Sequence, residues 1–285
     1  MILKTLEGLI FLTYHTNYNI KEIYRLLSLY NNTEEIMSEN LFKDNSNELY
    51  DKTYDAIEQL KFHNIEAIPF YSEKYPKELN DLIDKPPVLY VRGCFKEIRL
   101  AAVVGTRKMT NYGRQVIKKI IPKLIDNNYG IVSGLALGID TEAHWHTIQS
   151  SGYTVAVMPC SLNQITPKEN YKLANKILDS GGLLVSELLF NISQGKYNFI
   201  HRNRIQTGLS KIVIPVEMDI KSGTMHTIRY CKEQKRKLIL LNPPLAFRKD
   251  ACVEGILDLI DKQNKTYNEN VFIANNGDEI ISFIK

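Results

Sequence analysis

The stretch GKYNFIHRNRIQTGLS, residues 195–210, concentrates side chains that bind anions and flat rings. Two aromatic rings, a histidine and three cationic side chains fall between Lys196 and Arg204, and the apolar run KIVIPVE follows at once. Guanidinium groups bind phosphate oxygens in pairs, lysine is a natural phosphate partner, and aromatic faces stack on nucleobases. The composition therefore indicates a nucleotide or nucleic-acid site. In the alternative interpretation, the rings pack this loop onto a sheet and the arginines are solvated.

The spacing of the two arginines limits how they can act. Arg202 and Arg204 lie two residues apart on a helix predicted over 200–209, so they point to nearly opposite sides. We expect one to face the ligand, and the other to brace the loop or pair with an acid. Tyr197 and Phe199 precede this predicted helix, where either ring can stack on a base.

The motif VVGTRKMTNYG carries a second anion-binding set at the end of an apolar run. Gly105 lets the backbone turn closely after a strand, Thr106 offers a hydroxyl, and Arg107 offers a bidentate fork for phosphate. The glycine spacing matches neither GxGxxG nor GxxxxGK[ST], which disfavours both a dinucleotide site and a P-loop. A tight turn with a surface arginine is the alternative interpretation.

The motif GIVSGLALGIDTEAH forms another junction between a strand and a helix. Ser133 and Gly134 close the strand, where a small residue permits a ligand to approach the backbone. Asp140 falls near the start of the following helix, so it suits the helix dipole and can cap the helix. Capping alone would explain this aspartate.

The motif VEMDIKSGTMHT forms the third junction. Glu217 ends the preceding strand, where its carboxylate can bind a sugar hydroxyl or orient an arginine. Ser222, Gly223 and Thr224 can present N–H groups and hydroxyls to an anion at the start of the next helix. An ordinary N-cap is the alternative interpretation.

The elements that position these junctions alternate from residue 98 onward. Strands are predicted at residues 99–105, 130–134, 153–159, 182–187, 211–217 and 237–241, and helices near 111–127, 138–150, 168–180, 200–209 and 223–235. The strands are apolar along nearly their whole length, as in a sheet covered on both faces. The pattern predicts an α/β fold with a doubly wound, mostly parallel sheet whose ligand lies at the carboxyl ends of the strands.

The rest of the chain is organised around this main domain. Residues 1–64 have helical periodicity and are predicted to form a small N-terminal helical domain. The main domain is predicted at 65–245, and its Pro-punctuated leader at 65–93 ends in a short apolar strand. A short C-terminal extension is expected at 246–285, with one helix at 251–262.

Composition narrows the class of protein. Of the net charge of +4, residues 1–80 carry −5, with 8 Lys/Arg against 13 Asp/Glu, and the remainder carries +9. This asymmetry favours an anionic partner for the second part of the chain. No apolar run reaches the ~18–20 residues of a membrane span, and the N-terminus does not read as a signal peptide. The four cysteines lack CxxC spacing, so we expect free thiols and a cytoplasmic protein: Cys94, Cys160, Cys231 and Cys252.

Five motifs in this order and spacing resemble the DprA/Smf family, the DNA-processing protein A of natural transformation: VVGTRKMTNYGR, SGLALGIDTEAHWH, GGLLVSE, FIHRNRI and VEMDIKSGTM. The resemblance covers roughly residues 66–245. It implies an extended Rossmann-like domain that binds single-stranded DNA, protects incoming strands and helps load a RecA-type recombinase. It also implies a homodimer without known catalysis, and we expect no cofactor, no metal and no membrane association.

By motif, the resemblance assigns the strand-binding pocket to Gly105, Thr106, Arg107, Ser133, Gly134, Lys196, Phe199, Arg202, Asn203 and Arg204. Asp140, Glu217, Ser222 and Gly223 are expected to support it. The chain departs from the family pattern at Ile200 and His201, where the family usually reads Pro-Arg or a near equivalent. Many members also carry a further C-terminal domain, which we expect to be absent or reduced here.

Two other functions stay open. A nucleotide phosphoribohydrolase of the related superfamily carries a PGGxGTxxE motif, and the nearest stretch, DIKSGTMHT, lacks both the PGG and the glutamate. A regulatory sensor of a small nucleotide would use the same pocket, because Arg107 and Ser133 serve either ligand. Competition between a mononucleotide and an oligonucleotide separates that sensor from a DNA-binding protein. No Ser-His-Asp set or carboxylate pair is discernible, so we predict no catalytic residues.

Overall fold

The computed structural model describes residues 5–30, 46–192, 195–266 and 268–284, with Ser46 and Lys196 described by their backbone alone. The chain divides into two compact units. The first comprises residues 1–92, 159–164 and 185–195, and the second comprises residues 93–158, 165–184 and 196–285. The three-part division into 1–64, 65–245 and 246–285 stays a prediction.

The first unit contains helices α1 (Leu6–His15), α2 (Ile20–Leu29) and α3 (Ser46–Phe62), and the antiparallel strands β1 (Glu66–Pro69) and β2 (Val88–Gly93). Side chains cap the first two helices, because Oγ1 of Thr5 accepts from Gly8 N–H and Oδ1 of Asn19 accepts from Glu22 N–H. The apolar N-terminal sequence is therefore a core helix, with Leu9 to Leu12 fully buried. The helical periodicity of this part is confirmed, and any helix within 31–45 lies outside the described residues.

The second unit contains the parallel sheet. Its strands are β3 (Arg99–Val104), β4 (Tyr129–Ser133), β5 (Thr154–Val157), the first half of β6 (Leu183–Ser186), β7 (Ile212–Pro215), β8 (Lys237–Leu241) and β9 (Val271–Ala274). Their order is β6-β5-β4-β3-β7-β8-β9. The central strand β3 pairs in parallel with both neighbours, so that Ala102 lies opposite Val132 on β4 and Val213 on β7. Strand order thus reverses between β3 and β7, and this switch point is where open α/β sheets bind ligands.

Helices cover both faces of this sheet. They are α4 (Asn111–Asp126), α5 (Ile139–Gln149), α6 (Tyr171–Asp179), α7 (Lys196–His201), α8 (Asn203–Gly208), α9 (Thr224–Glu233), α10 (Glu254–Lys265) and α11 (Gly277–Ile284). Alternate residues of β3 enter different cores, because Ala101 and Val103 pack with α4, α5 and α11, whereas Ala102 and Val104 pack with α9 and α10. The predicted doubly wound α/β fold is confirmed.

The structure corrects three details of the predicted elements. The helix expected over 200–209 is two short helices that break at Arg202, and Tyr197 and Phe199 lie within α7 instead of preceding a helix. Strands β1 and β9 were not predicted. The C-terminal segment consequently extends the sheet, since β9 pairs in parallel with β8.

None of the helices within the described ranges combines the length and the apolar composition that crossing a bilayer requires.

Candidate functional site

A cavity of about 420 Å³ opens at the carboxyl end of β3, beside the switch point of the sheet. Nine of the residues predicted for the site line it: Gly105, Thr106, Arg107, Asp140, Phe199, Arg202, Asn203, Ser222 and Gly223. The three junctions identified in the sequence thus converge, because parallel strands bring their carboxyl ends to one edge of the sheet. The side chain of Lys196 lies outside the described part of the chain.

A cation and an aromatic ring form the mouth of the cavity. Arg107 is exposed, and its guanidinium carbon lies 5.4 Å from the ring centroid of Phe199, within the range of a cation–π contact. Phe199 itself is half-buried on α7. The pair can present a bidentate phosphate donor and a stacking surface side by side.

A second arginine, Arg202, lies in the cavity wall. Its guanidinium is buried and donates from Nη1 to the carbonyl oxygen of Val157, which ends β5. Asp140 lines the same cavity, and its Oδ2 accepts from the N–H of Gly134 at 3.0 Å. Burial raises the pKa of Asp140, whereas the positive charge of Arg202 and hydrogen bonds from the backbone of Gly134 and Ala136 act in the opposite direction. The two side chains therefore hold the loop after β4 against the wall.

Arg204 has a different environment from Arg202. It is 1% exposed, its Nη1 donates to the carbonyl oxygen of His201 at 3.2 Å, and it does not line the cavity. The carbonyl oxygen of Arg204 accepts from Nε2 of Gln234 on the segment after α9. One arginine therefore meets the cavity and the other braces the short helices, as their two-residue spacing predicts. A direct DNA contact by Arg204 has no support in this geometry.

Ser133 and Gly134 also stand apart from the cavity lining. Ser133 is fully buried, and its hydroxyl donates to the carbonyl oxygen of Val103 at 2.7 Å. Gly134 lies directly beneath Arg202, where a Cβ would be 1.8 Å from Nη1. These two residues position Asp140 and Arg202, and their role as direct DNA contacts stays a prediction.

Glu217 lies at the start of α4 instead of in the cavity. Its carboxylate is fully buried and accepts from the N–H of Thr110 at 2.9 Å and the N–H of Gly113 at 3.2 Å, as well as from the Thr110 hydroxyl. A carboxylate in this place satisfies free N–H groups and complements the helix dipole. These contacts give Glu217 a capping role, and its binding to a sugar hydroxyl or an arginine stays a prediction.

The third junction, Ser222 and Gly223 before α9, both caps the helix and lines the cavity. Oγ of Ser222 accepts from the N–H of Thr224 at 3.2 Å, which is a local capping contact before α9. Ser222 and Gly223 nevertheless line the cavity, and a Cβ on Gly223 would meet no atom within 4 Å. The junction thus leaves open space at the cavity wall.

Three further polar residues line the cavity: Thr224, which the third junction predicted, and Gln206 and Thr227, which were not predicted. All three are buried. The spacing held a signal, because Gln206 follows Arg202 by four residues and Thr227 follows Thr224 by three, which are same-face separations on helices. The α8 face with Gln206 and the α9 face with Thr224 and Thr227 line the cavity only because these two helices flank it.

The family model for DNA recombination-mediator protein A matches residues 66–276. Protein Smf of Escherichia coli is 39% identical over 191 residues, which are 66% of this chain and 50% of that protein. DNA processing protein DprA of Bacillus subtilis is 34% identical over 199 residues, which are 69% of this chain and 67% of that protein. The chain thus spans half the length of the Escherichia coli relative.

Solved structures agree with these relatives. DNA processing protein A of Streptococcus pneumoniae superposes with a TM-score of 0.72 and 27% identity, covering 97% of this chain and 92% of that chain. DNA processing protein A of Helicobacter pylori, described with a single-stranded DNA binding mode, superposes with a TM-score of 0.66 and 29% identity. That match covers 77% of this chain and 95% of the other.

Proposed function

The chain belongs to the DNA recombination-mediator protein A family, and on this premise we propose that it binds single-stranded DNA at the cavity beyond β3. The observation that carries the proposal is the placement of the Arg107 guanidinium over the Phe199 ring at the cavity mouth. An exposed cation beside an aromatic face serves a strand of phosphates and unpaired bases. The net charge of +9 on residues 81–285, and the single-stranded DNA binding of the Helicobacter pylori relative, support it.

In this proposal each cavity residue has a defined part. Arg107 binds a backbone phosphate, and Phe199 stacks on an adjacent base. Gly105, Thr106, Asn203, Ser222 and Gly223 line the remaining wall that the strand meets. The hydrogen bonds of Arg202 to Val157 and of Asp140 to Gly134 stiffen that wall, so the loops need little ordering when DNA binds. Lys196 is added as a phosphate partner from the sequence alone.

The wider role rests on the family. We propose that the protein acts in the cytoplasm as a homodimer, protects incoming strands during natural transformation, and helps load a RecA-type recombinase without catalysing a reaction. The motifs that carry the family resemblance support this role. Residues 65–245 serve as the DNA-binding domain, with the N-terminal helices and the C-terminal segment attached to it.

The test is binding of labelled oligo-dT, single-stranded and duplex, at two salt concentrations. We expect tight, single-strand-selective binding whose affinity falls with salt with a slope of about −0.7 per phosphate neutralised. Arg107→Ala should weaken binding and make that slope shallower by about 0.7, since one phosphate contact is lost. Arg99→Ala is the matched control. Arg99 is the first residue of β3, so this substitution removes the same charge at the end of β3 opposite to the cavity.

The outcomes separate the proposed function from its alternative. Equal affinity for duplex and single strands, or equal losses in Arg107→Ala and Arg99→Ala, would contradict the assigned site. Displacement of the oligonucleotide by a mononucleotide at similar concentration would instead favour the small-nucleotide sensor.

A further inference from the structure

A second cavity of about 420 Å³ lies wholly within the first unit and shares no lining residue with the cavity beyond β3. Its walls are the end of α1, one face of α3 and two short loop segments. Leu49, Lys52, Ala56 and Gln59 form the α3 wall, because separations of three and four residues place side chains on one face of a helix. The volume falls within the range of about 300–1,000 Å³ typical of small-ligand pockets.

The loop segments that complete this cavity are tied to the rest of the first unit. The hydroxyl of Tyr18, which follows α1, donates to Oε2 of Glu187 at 2.5 Å, and the lining residue Phe190 comes three residues later. The hydroxyl of Ser161 donates to Oδ1 of Asn163, which lines the cavity, at 2.7 Å. The cavity is therefore formed without a ligand, and binding needs little ordering of the chain.

Asp55 gives the cavity its negative charge. Lys52 also lines the cavity, but its ammonium lies 2.6 Å from Oε1 of Glu48, which is not a lining residue. Asp55 also lines the cavity and has no ion pair within the described ranges. Residues 1–80 carry a net charge of −5, so the wider field has the same sign. The cavity thus attracts cations and disfavours phosphate.

Neutral oxygen atoms surround this carboxylate. Burial, followed by the negative charge of Asp55, raises the pKa of Tyr14 to about 12, so the phenol is neutral at physiological pH and within electrostatic reach of the carboxylate. Asn17, Gln59 and Asn191 line the same cavity, and their carboxamides make no hydrogen bond with the described part of the chain. Phenol and carboxamide oxygens accept hydrogen bonds, as a cationic donor requires.

The arrangement of these acceptors selects the shape of the cation. They belong to the end of α1, to α3 and to the loop that contains Asn191, so they approach a ligand from different sides. An ammonium group directs three donors away from its stem, whereas the donors of a guanidinium lie in one plane. The buried side chains of Ala56 and Phe190 provide apolar contact for a methylene stem.

We propose that this cavity binds a primary ammonium group on an apolar stem, with Asp55 as the counter-ion and Phe190 beside the stem. The lysine side chain of a partner protein and a free aliphatic diamine share this chemistry. The first unit thus recognises a cation, whereas the cavity of the second unit is proposed to bind an anionic strand.

The test is an NMR titration of the ¹⁵N-labelled full chain with pentylamine and with 1-pentanol, which has the same stem without the charge. We expect pentylamine to bind at least about threefold more tightly and to shift the backbone amides of Asn17, Asp55 and Asn191. Asp55→Asn keeps the shape of an exposed side chain and should weaken pentylamine binding about three- to fivefold, as the loss of an exposed ion pair implies. Asp51→Asn is the matched control, because Asp51 is exposed one helical turn away, outside the lining, and should keep the wild-type affinity.

A second variant fills the site from within. Gln59→Lys places an ammonium group four residues after Asp55, at the spacing of a helical ion pair, and should abolish pentylamine binding. Gln115→Lys adds the same charge at an exposed position on α4 and should leave that binding unchanged.

The source of the ammonium group is identified with two further probes, the peptide acetyl-Gly-Lys-Gly-amide and 1,5-diaminopentane. Binding of the peptide at least as tightly as the diamine assigns the site to a lysine of a partner protein, and weaker binding of the peptide assigns it to a free diamine. Tighter binding of pentylguanidine than of pentylamine would contradict the choice of an ammonium group. Equal affinities for pentylamine and 1-pentanol, or equal losses in Asp55→Asn and Asp51→Asn, would overturn the site itself.

Discussion

The guanidinium of Arg202 lies so close to the α-carbon of Gly134 that a Cβ there would stand 1.8 Å from Nη1. The arginine is held in that place because Nη1 also donates to the carbonyl oxygen of Val157. Glycine at position 134 is therefore required for the wall of the cavity, although the residue does not line the cavity itself.

Gly134→Ala should destabilise the protein by about 1–3 kcal/mol, since the added methyl group overpacks a buried site and displaces Arg202. Urea unfolding measures this change. Gly195→Ala is the control, because a Cβ at Gly195 meets no atom within 4 Å, and its effect should stay within about 0.5 kcal/mol. Equal unfolding free energies for the two variants would contradict the close contact.

Phe199→Leu should weaken binding of single-stranded oligo-dT by about 1–3 kcal/mol, because it removes the stacking face at the cavity mouth. Fluorescence anisotropy measures the affinity. Tyr197→Leu is the matched control, because the Tyr197 ring is exposed, stacks on His201 at 5.0 Å and does not line the cavity. A larger loss in Tyr197→Leu than in Phe199→Leu would mean that the strand follows the other face of α7.

Glu217→Gln should lower the free energy of unfolding by about 1–3 kcal/mol, because an amide cannot accept with both of its polar atoms from Thr110 and Gly113. The affinity of the folded variant for oligo-dT should equal that of wild type, since Glu217 is outside the cavity lining. Glu233→Gln, at an exposed ion pair with Arg229, should change stability by less than about 1 kcal/mol. Lost DNA affinity at unchanged stability would instead restore a ligand-binding role for Glu217.

His144 should make stability depend on pH. Its ring is fully buried, and burial, followed by the positive charge of Arg202, lowers the pKa of His144 from 6.5 to about 3. Below pH 6.5 the unfolded chain therefore takes up a proton that the folded protein does not. The contribution of His144 to stability is complete above about pH 6.5 and is lost as the pH falls towards about 3.

His144→Gln should remove this dependence. Between pH 6 and 4, the unfolding free energy of wild type should fall more steeply than that of the variant, by up to about 1.4 kcal/mol per pH unit. Urea unfolding across this range measures both slopes. His146→Gln, on the same helix but with a partly exposed ring beside Glu142, is the control and should keep the steep slope of wild type. Parallel curves for wild type and His144→Gln would contradict the prediction.

The main elements of the sheet were predictable because their signals are local. The run KLILL was predicted at 237–241 and forms β8 over Lys237–Leu241, and RLAAVVG differs from β3 by one residue. Continuous apolar, β-branched runs identify strands that are buried on both faces. By contrast, β1 and β9 were not predicted, and each pairs with a neighbouring strand, β1 with β2 and β9 with β8.

The site was predictable only as a set of junctions. Gly105, Arg107 and Ser222 were identified because they follow strands, and open parallel sheets bind ligands at the carboxyl ends of their strands. The direction of individual side chains was not predictable: the Ser133 hydroxyl donates to Val103, and the Glu217 carboxylate accepts from the start of α4. Gln206 was missed because a polar residue on a helix is predicted to be exposed to solvent unless the element that packs against it is known.

The sequence by itself determined the doubly wound α/β class and the family, since the alternation of strands and helices and the order of five motifs are properties of the chain. The tertiary structure decided which arginine reaches the cavity. Arg202 is held by Val157, which is 45 residues away in the chain, whereas Arg204 donates to His201, only three residues away. Hydrophobic periodicity is a local property, whereas the contact of Arg202 with Val157 exists only once β5 and the turn between α7 and α8 are packed together.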